Sequence, residues 1–377
     1  MLSLDNNTQA FFELVRAGLF PVHGEGGMVN ASFFEGVDWG EVYRMAEEQS
    51  VVGLVSAGLD WFKVHDSRFK VPQTVVLQFV DQTLQIEQRN KAMNEFVACL
   101  IEELRNADCY AVLVKGQGVA QCYERPLWRA CGDVDLLLSR DNYEKAKTIL
   151  ESRAEKIDEE DKNRLHLAMT IDGWIVELHG TLLTGISRSL NKVVSQVQSD
   201  IFYGGEVRSW MNGKTQVFLP SADNDVFLVF SHILEHFYVE GIGLRQICDW
   251  CRLLWAYRGK IDVQLLERRL RDAKILTEWK GFASLAVDAL GMPMETMPLY
   301  DSSFSGKGSR IMEYVLETGN FGLNKDNSYR SKTSKLGGLF ITFWRRVKEF
   351  AKLTKIFPTQ TPKIFLTYVL GRVKANV

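Results

Sequence analysis

The chain has 377 residues, 46% of them hydrophobic and 24% charged, with a formal net charge of −2. That profile is globular and excludes a disordered or collagen-like chain. The near-neutral balance excludes a strongly basic nucleic-acid binder, and the length suggests two or three domains at about 100–200 residues each.

Residues 1–107 read as helices. "TQAFFELVRAGLF", "WGEVYRMAEEQSVVGLVSAGLDWF" and "VPQTVVLQFVDQTLQIEQRNKAMNEFVACLIEELRNA" carry apolar residues at three- and four-residue spacing. The period then changes. "YAVLVKG" is a short β-branched run ending at Gly116, "QGVAQCYE" fits one short helix, and "RPLWRACG" is loop. "DVDLLL" reads as a strand and "SRDNYEKAKTILES" as a helix capped by Ser139 or Asp141. "LHLAMTIDGWIVELHG" reads as a hairpin around Asp172-Gly173.

From Ala222 to Gly291 the pattern is helical again, and polar Gly/Ser-rich stretches follow. The expected division is a helical region 1–107, an α/β core 108–220, a helical region 221–300 packing on the core, and a linker with basic helices in 301–377. The expected fold class is α+β, a small mixed sheet between helical flanks.

Residues 331–377 hold ten Lys/Arg and one acid, Glu349. Leu339, Phe340, Phe343, Trp344, Val347, Phe350 and Ala351 fall on one apolar stripe there. A basic amphipathic segment over 336–377 is expected either to pack on its own domain or to dock on a membrane surface or a protein.

Cysteines 99, 109, 122, 131, 248 and 251 form no disulfide framework, and the Cys248/Cys251 pair inside a helical pattern reads as buried thiols. No signal peptide or transmembrane run is read, so a cytoplasmic protein is expected, with the inner membrane face as the place for any peripheral docking.

The chemistry concentrates in "CGDVDLLL". Alternation puts Asp133 and Asp135 on one strand face, about 6.6 Å apart along the strand. A divalent cation would relieve their repulsion. Mg²⁺ (or Mn²⁺) favours such oxygens and leaves positions for substrate phosphates. Glu177, in "GWIVELHG", is the third carboxylate, and its apolar neighbours make it costly to bury unpaired. His179 shares its face. Lys115 and Gly116 end the preceding strand, where backbone amides can approach a phosphate. Arg129 is a candidate for a bidentate triphosphate contact.

The run "LVKGQGVAQCYERPLWRACGDVDLLL", then "VELH", then "SHILEHFYVEGIGLRQICDW" resembles the bacterial uncharacterised nucleotidyltransferase family within the DNA polymerase β-type superfamily, over roughly residues 30–290. The resemblance implies a metal-dependent enzyme with Asp133, Asp135 and Glu177 as catalytic and metal-binding residues. It would transfer NMP from an NTP to a hydroxyl acceptor, a small molecule or a protein; nucleic acid is not expected. Glu177 would also help to deprotonate the acceptor.

The superfamily's usual turn is Gly-Ser. Here it is Lys115-Gly116-Gln117-Gly118, so the hydroxyl contact is missing and Lys115 is the point charge that would replace it. His179, Arg245 and Asp249 are further candidates near the cleft; the last two are spaced to pair at i,i+4.

Two other readings stay open. One is a non-catalytic nucleotide-binding or scaffold protein that keeps the fold. The other is a zinc hydrolase using "HILEH", His232 to His236, whose third ligand would have to come from a following helix.

Overall fold

The computed structural model describes residues 5–20, 31–322 and 335–366. Its elements in chain order are α1 (Asn6–Leu19), α2 (Trp39–Glu48), α3 (Val52–His65), α4 (Gln73–Asn106), β1 (Ala111–Val114), α5 (Gly116–Ala120), β2 (Asp133–Leu138), α6 (Arg140–Glu151), β3 (Lys156–Ile157), β4 (His166–Ile171) and β5 (Trp174–His179). After them come α7 (Arg188–Tyr203), β6 (Val207–Asn212), β7 (Thr215–Pro220), α8 (Ala222–Val239), α9 (Leu244–Ala256), α10 (Val263–Asp272), α11 (Leu276–Asp288), α12 (Ser305–Thr318) and α13 (Lys335–Ile356). The class is α+β, as expected.

The seven strands form one sheet in the order β3-β4-β5-β2-β1-β7-β6. β2 runs antiparallel to β1 and parallel to β5, and β1 runs parallel to β7. The β4–β5 hairpin closes where the sequence places it, with Asp172 and Gly173 both at positive φ (49° and 76°). That is the backbone an Asp-Gly turn favours. The β6–β7 hairpin and α7 were not named in the sequence. Their signals are Asn212-Gly213 between strand-like runs, and Ser187, whose hydroxyl accepts from the Leu190 amide to cap α7.

Alternation sorts the strands onto two cores. Leu113, Val134, Leu136, Leu138, Val176 and Leu178 face Val97 and Leu100 of α4 and Tyr143, Ala146 and Leu150 of α6. Val112, Val114 and Leu137 face the other way, into a core shared with Val194 of α7 and Phe230 and Ile233 of α8. This second core also takes in α1–α3 and runs on through α12 to Phe350, Leu353 and Ile356 of α13. The N-terminal and C-terminal helices therefore share one apolar interior. Polar ties cross it: Arg16 Nε donates to Ala289 O at 2.8 Å, and Gln49 Oε1 accepts from the Leu244 amide at 2.8 Å.

Of the basic apolar stripe, the side chains of Leu339, Phe340 and Phe343 and all of residues 331–334 and 367–377 lie outside the described residues. Within them Phe350 is buried, Trp344 is half exposed and Ala351 is exposed. No described helix is long and apolar enough to cross a membrane.

α4 positions the site through one buried side chain. Asn90 donates to Leu127 O (2.8 Å) and Arg129 O (2.7 Å) and accepts from Gln117 Nε2 (3.0 Å). Asn90→Ala orphans two carbonyls and an amide and should lower stability by about 2–4 kcal/mol, read by urea unfolding.

In the second core, burial pushes the Glu278 carboxyl up to about 7; it accepts from Tyr238 Oη at 3.1 Å. Its folded pKa lies above its unfolded one. The fold is therefore not penalised well below about pH 4.5 and loses stability as pH rises from about 4.5 through about 7. Glu278→Gln should remove that loss, so the variant gains on the wild type by about 2–3 kcal/mol at pH 8 and not at about pH 3.5 in parallel unfolding curves.

Candidate active site

β2 and β5 lie side by side in the sheet, and their parallel register sets Asp135 beside Glu177 and Asp133 beside Ile175. Asp133, Asp135, Glu177 and His179 share the face that carries Leu137, so the carboxylates point toward α8 and α9 rather than toward α4. With Lys115, Gly116, Arg129, Arg245 and Asp249 they line one cleft of about 630 Å³. All the residues singled out in the sequence thus converge, although they come from a loop, three strand ends and a helix.

Lys115 follows β1 with φ of 56°, an uncommon backbone for a residue with a Cβ, and Gly116 comes next at 35°. The turn breaks the strand's alternation, and the ammonium comes to lie 2.8 Å from Asp135 Oδ1. On the other side His179 Nε2 sits 2.9 Å from the same oxygen and 3.4 Å from Glu177 Oε2. His166 Nε2 approaches Glu177 Oε2 at 3.3 Å.

Opposed effects set the charges. Burial would raise the Asp135 carboxyl, but the Lys115 ammonium and the His179 hydrogen bond hold it below the usual range. Burial likewise works against Glu177, and hydrogen bonds from His166 and His179, with Lys115 nearby, hold it far below that range. Burial disfavours the charged forms of Lys115 and His179, yet Asp135 and Glu177 raise both. Asp133 is the exception: the charge on Asp135, then burial, then Glu177 push it up.

Arg129 has a different partner from the one expected. Its guanidinium grips Asp249 with two bonds, Nε to Oδ1 at 3.0 Å and Nη2 to Oδ2 at 2.6 Å, and Tyr123 Oη donates to Oδ1 at 2.8 Å. Both charged side chains are almost fully buried. Arg129 is thus first a strut between the loop before β2 and α9, and its fork is not presented to a triphosphate. Asp249, expected to pair with Arg245 four residues earlier, takes this long-range partner, while Arg245 Nη1 donates to Ala130 O at 2.7 Å.

The helical pair His232 and His236 also reaches the cleft, with Nε2 atoms 3.0 Å apart. Burial, then Lys115 and the neighbouring histidines, hold His232 neutral. Glu235 of the same motif is taken up by Arg164 Nη1 and the Gly185 amide, both at 3.0 Å. Asp249 is committed to Arg129 and Tyr123, so a zinc-hydrolase set around this pair lacks its third ligand among the described residues. The three-residue cluster able to hold a metal there is His166, Glu177 and His179.

His166 was missed by sequence reading, although a signal existed. Folding the hairpin about Asp172-Gly173 pairs Ile171 with Trp174, and counting outward pairs His166 with His179.

No curated protein and no solved structure matches the chain. A family model described as uncharacterised nucleotidyltransferase matches residues 35–291, about two thirds of the chain, from the turn before α2 to just past α11 and including the whole sheet and its cleft. The chain belongs to the uncharacterised nucleotidyltransferase family.

Proposed function

We propose that the protein is an active, metal-dependent nucleotidyltransferase of the DNA polymerase β type that moves NMP from an NTP to a hydroxyl acceptor. The observation that carries this reading is the register of Asp135 beside Glu177, with Asp133 on the same face, at the floor of a walled cleft. Three carboxylates raise an electrostatic demand that Lys115 and His179 meet only around Asp135 and Glu177; Asp133 is left with a raised pKa. A divalent cation fits that deficit, and Asp133, Asp135 and Glu177 would hold Mg²⁺ or Mn²⁺. When bound, the ion neutralises phosphate charge that builds up in the transition state.

The chain's own groups do the rest. Lys115 is the point charge for the phosphates, beside the amides that follow it at Gly116. The acceptor oxygen forms a bond to the α-phosphorus, the bond to the β-phosphate oxygen breaks, and pyrophosphate leaves. Glu177 was expected to take the acceptor's proton as well. Its strongly lowered pKa makes it a weak base and suits a metal ligand instead; burial and Lys115 make the His232 imidazole a weak base too, so the acceptor's proton passes to solvent at the cleft mouth. The enclosed cleft and the near-neutral chain favour a small molecule or a protein side chain as acceptor over nucleic acid.

One observation favours a second reading, a non-catalytic nucleotide-binding scaffold: the Lys115 ammonium lies 2.8 Å from Asp135 Oδ1 and offsets its charge. A screen with α-labelled NTPs, offering metabolite pools and the protein itself as acceptors, separates the two. Label transfer should depend on the divalent ion and fall at least about 100-fold in Asp133→Asn, with the unfolding curve unchanged. Ion-dependent nucleotide binding without transfer would support the scaffold. Wild-type transfer by the variant would remove Asp133 from the mechanism.

A further inference from the structure

We infer that His166, Glu177 and His179 form a nitrogen-rich site for a divalent transition-metal ion, one that prefers Mn²⁺, Co²⁺ or Zn²⁺ to Mg²⁺. The inference deepens the proposed function by naming the ion class, yet it stands on ligand geometry alone.

The hairpin register puts His166 directly across from His179, so the turn at Asp172-Gly173 fixes both imidazoles beside Glu177. The three ligand atoms lie within 4.8 Å of one another. Glu177 Oε2 is 3.3 Å from His166 Nε2 and 3.4 Å from His179 Nε2. Charge-assisted N–H···O bonds close to about 2.7–2.9 Å, so these contacts are long for hydrogen bonds. They match the spacing of ligands around one ion: bonds of about 2.1 Å in tetrahedral geometry separate neighbouring ligands by about 3.4 Å.

Without an ion, the hydrogen on His179 Nε2 goes to Asp135 Oδ1 at 2.9 Å. A metal ion takes the lone pair of that nitrogen, so binding replaces this hydrogen and releases a proton.

Ligand chemistry then decides the class of ion. Mg²⁺ is held by oxygens and seldom by imidazole, whereas two histidines and a carboxylate suit the borderline first-row ions. His166 and Glu177 are partly open to the cleft while His179 is nearly buried, so the protein closes one side of the ion and substrate or water completes the other. Mn²⁺ accepts both carboxylates and imidazoles and would therefore also serve the neighbouring Asp133 and Asp135.

Chelator-stripped full-length protein, titrated with Co²⁺ without nucleotide, tests the assignment. One equivalent should bind, with the intense visible bands of a four- or five-coordinate nitrogen-containing site. A large excess of Mg²⁺ should not bleach them, and Mn²⁺ or Zn²⁺ should. His166→Ala, at the open edge where folding is least at risk, should weaken binding at least tenfold and shift the bands; His179→Ala should do the same. A pale six-coordinate spectrum, displacement by equimolar Mg²⁺, or wild-type affinity in His166→Ala would overturn the proposal. Because no nucleotide is present, loss of NMP transfer with these bands intact would count against the proposed reaction and not against the metal site.

Discussion

Asp135 is a carboxylate buried in the middle of a sheet, and much of the site's arrangement follows from keeping it charged. An isolated ion at that depth costs several kcal/mol even after the surroundings relax. The chain answers from both sides. Lys115 approaches across β1, where Val114 pairs with Asp135, and His179 approaches along β5, whose register brings Glu177 alongside. Lys115 arrives only because its backbone takes a positive φ, so a strained turn and a buried ion pair are parts of one arrangement.

The same constraint explains why the sheet is two-faced. One face carries apolar side chains against α4 and α6 and needs nothing polar. The other has to be covered by helices that seal Val112, Val114 and Leu137 yet leave a cleft over the acids. α8 and α9 do this, and their own polar residues are tied down. Glu235 is held by Arg164 and the Gly185 amide, and Asp249 by Arg129 and Tyr123. Both carboxylates are thus paired within the fold itself, and the polar walls of the cleft are held by the chain's own contacts.

How much of this was legible in the sequence depends on the range of each interaction. The β4–β5 hairpin, the Asp-x-Asp strand and the long helix α4 announce themselves through turn chemistry, alternation and three- and four-residue spacing. His166 was within reach, because a two-residue turn fixes every pair outward from it. The Arg129–Asp249 grip was not, since it joins residues 120 positions apart and the i,i+4 rule proposed a nearer partner for Asp249. The parallel pairing of β2 with β5 likewise lies outside any local pattern: a whole helix and two strands separate them in the chain.

The commitment of Arg129 bears on how an anion could be held here. A triphosphate would bring several negative charges into a cleft whose guanidiniums on Arg129 and Arg164 are already paired with Asp249 and Glu235. Breaking either pair to bind phosphate would strand a partly or wholly buried carboxylate, at a cost comparable to what the new contact returns. Lys115 is in a different position. It is shared between Asp135 and the cleft, and a cation arriving at the carboxylates would take over part of its task. Metal and phosphate binding should then be coupled through this one ammonium: the ion relieves Asp135, and Lys115 becomes available to the phosphate that accompanies it. On that argument Lys115 serves as the exchangeable counter-ion of the acidic face.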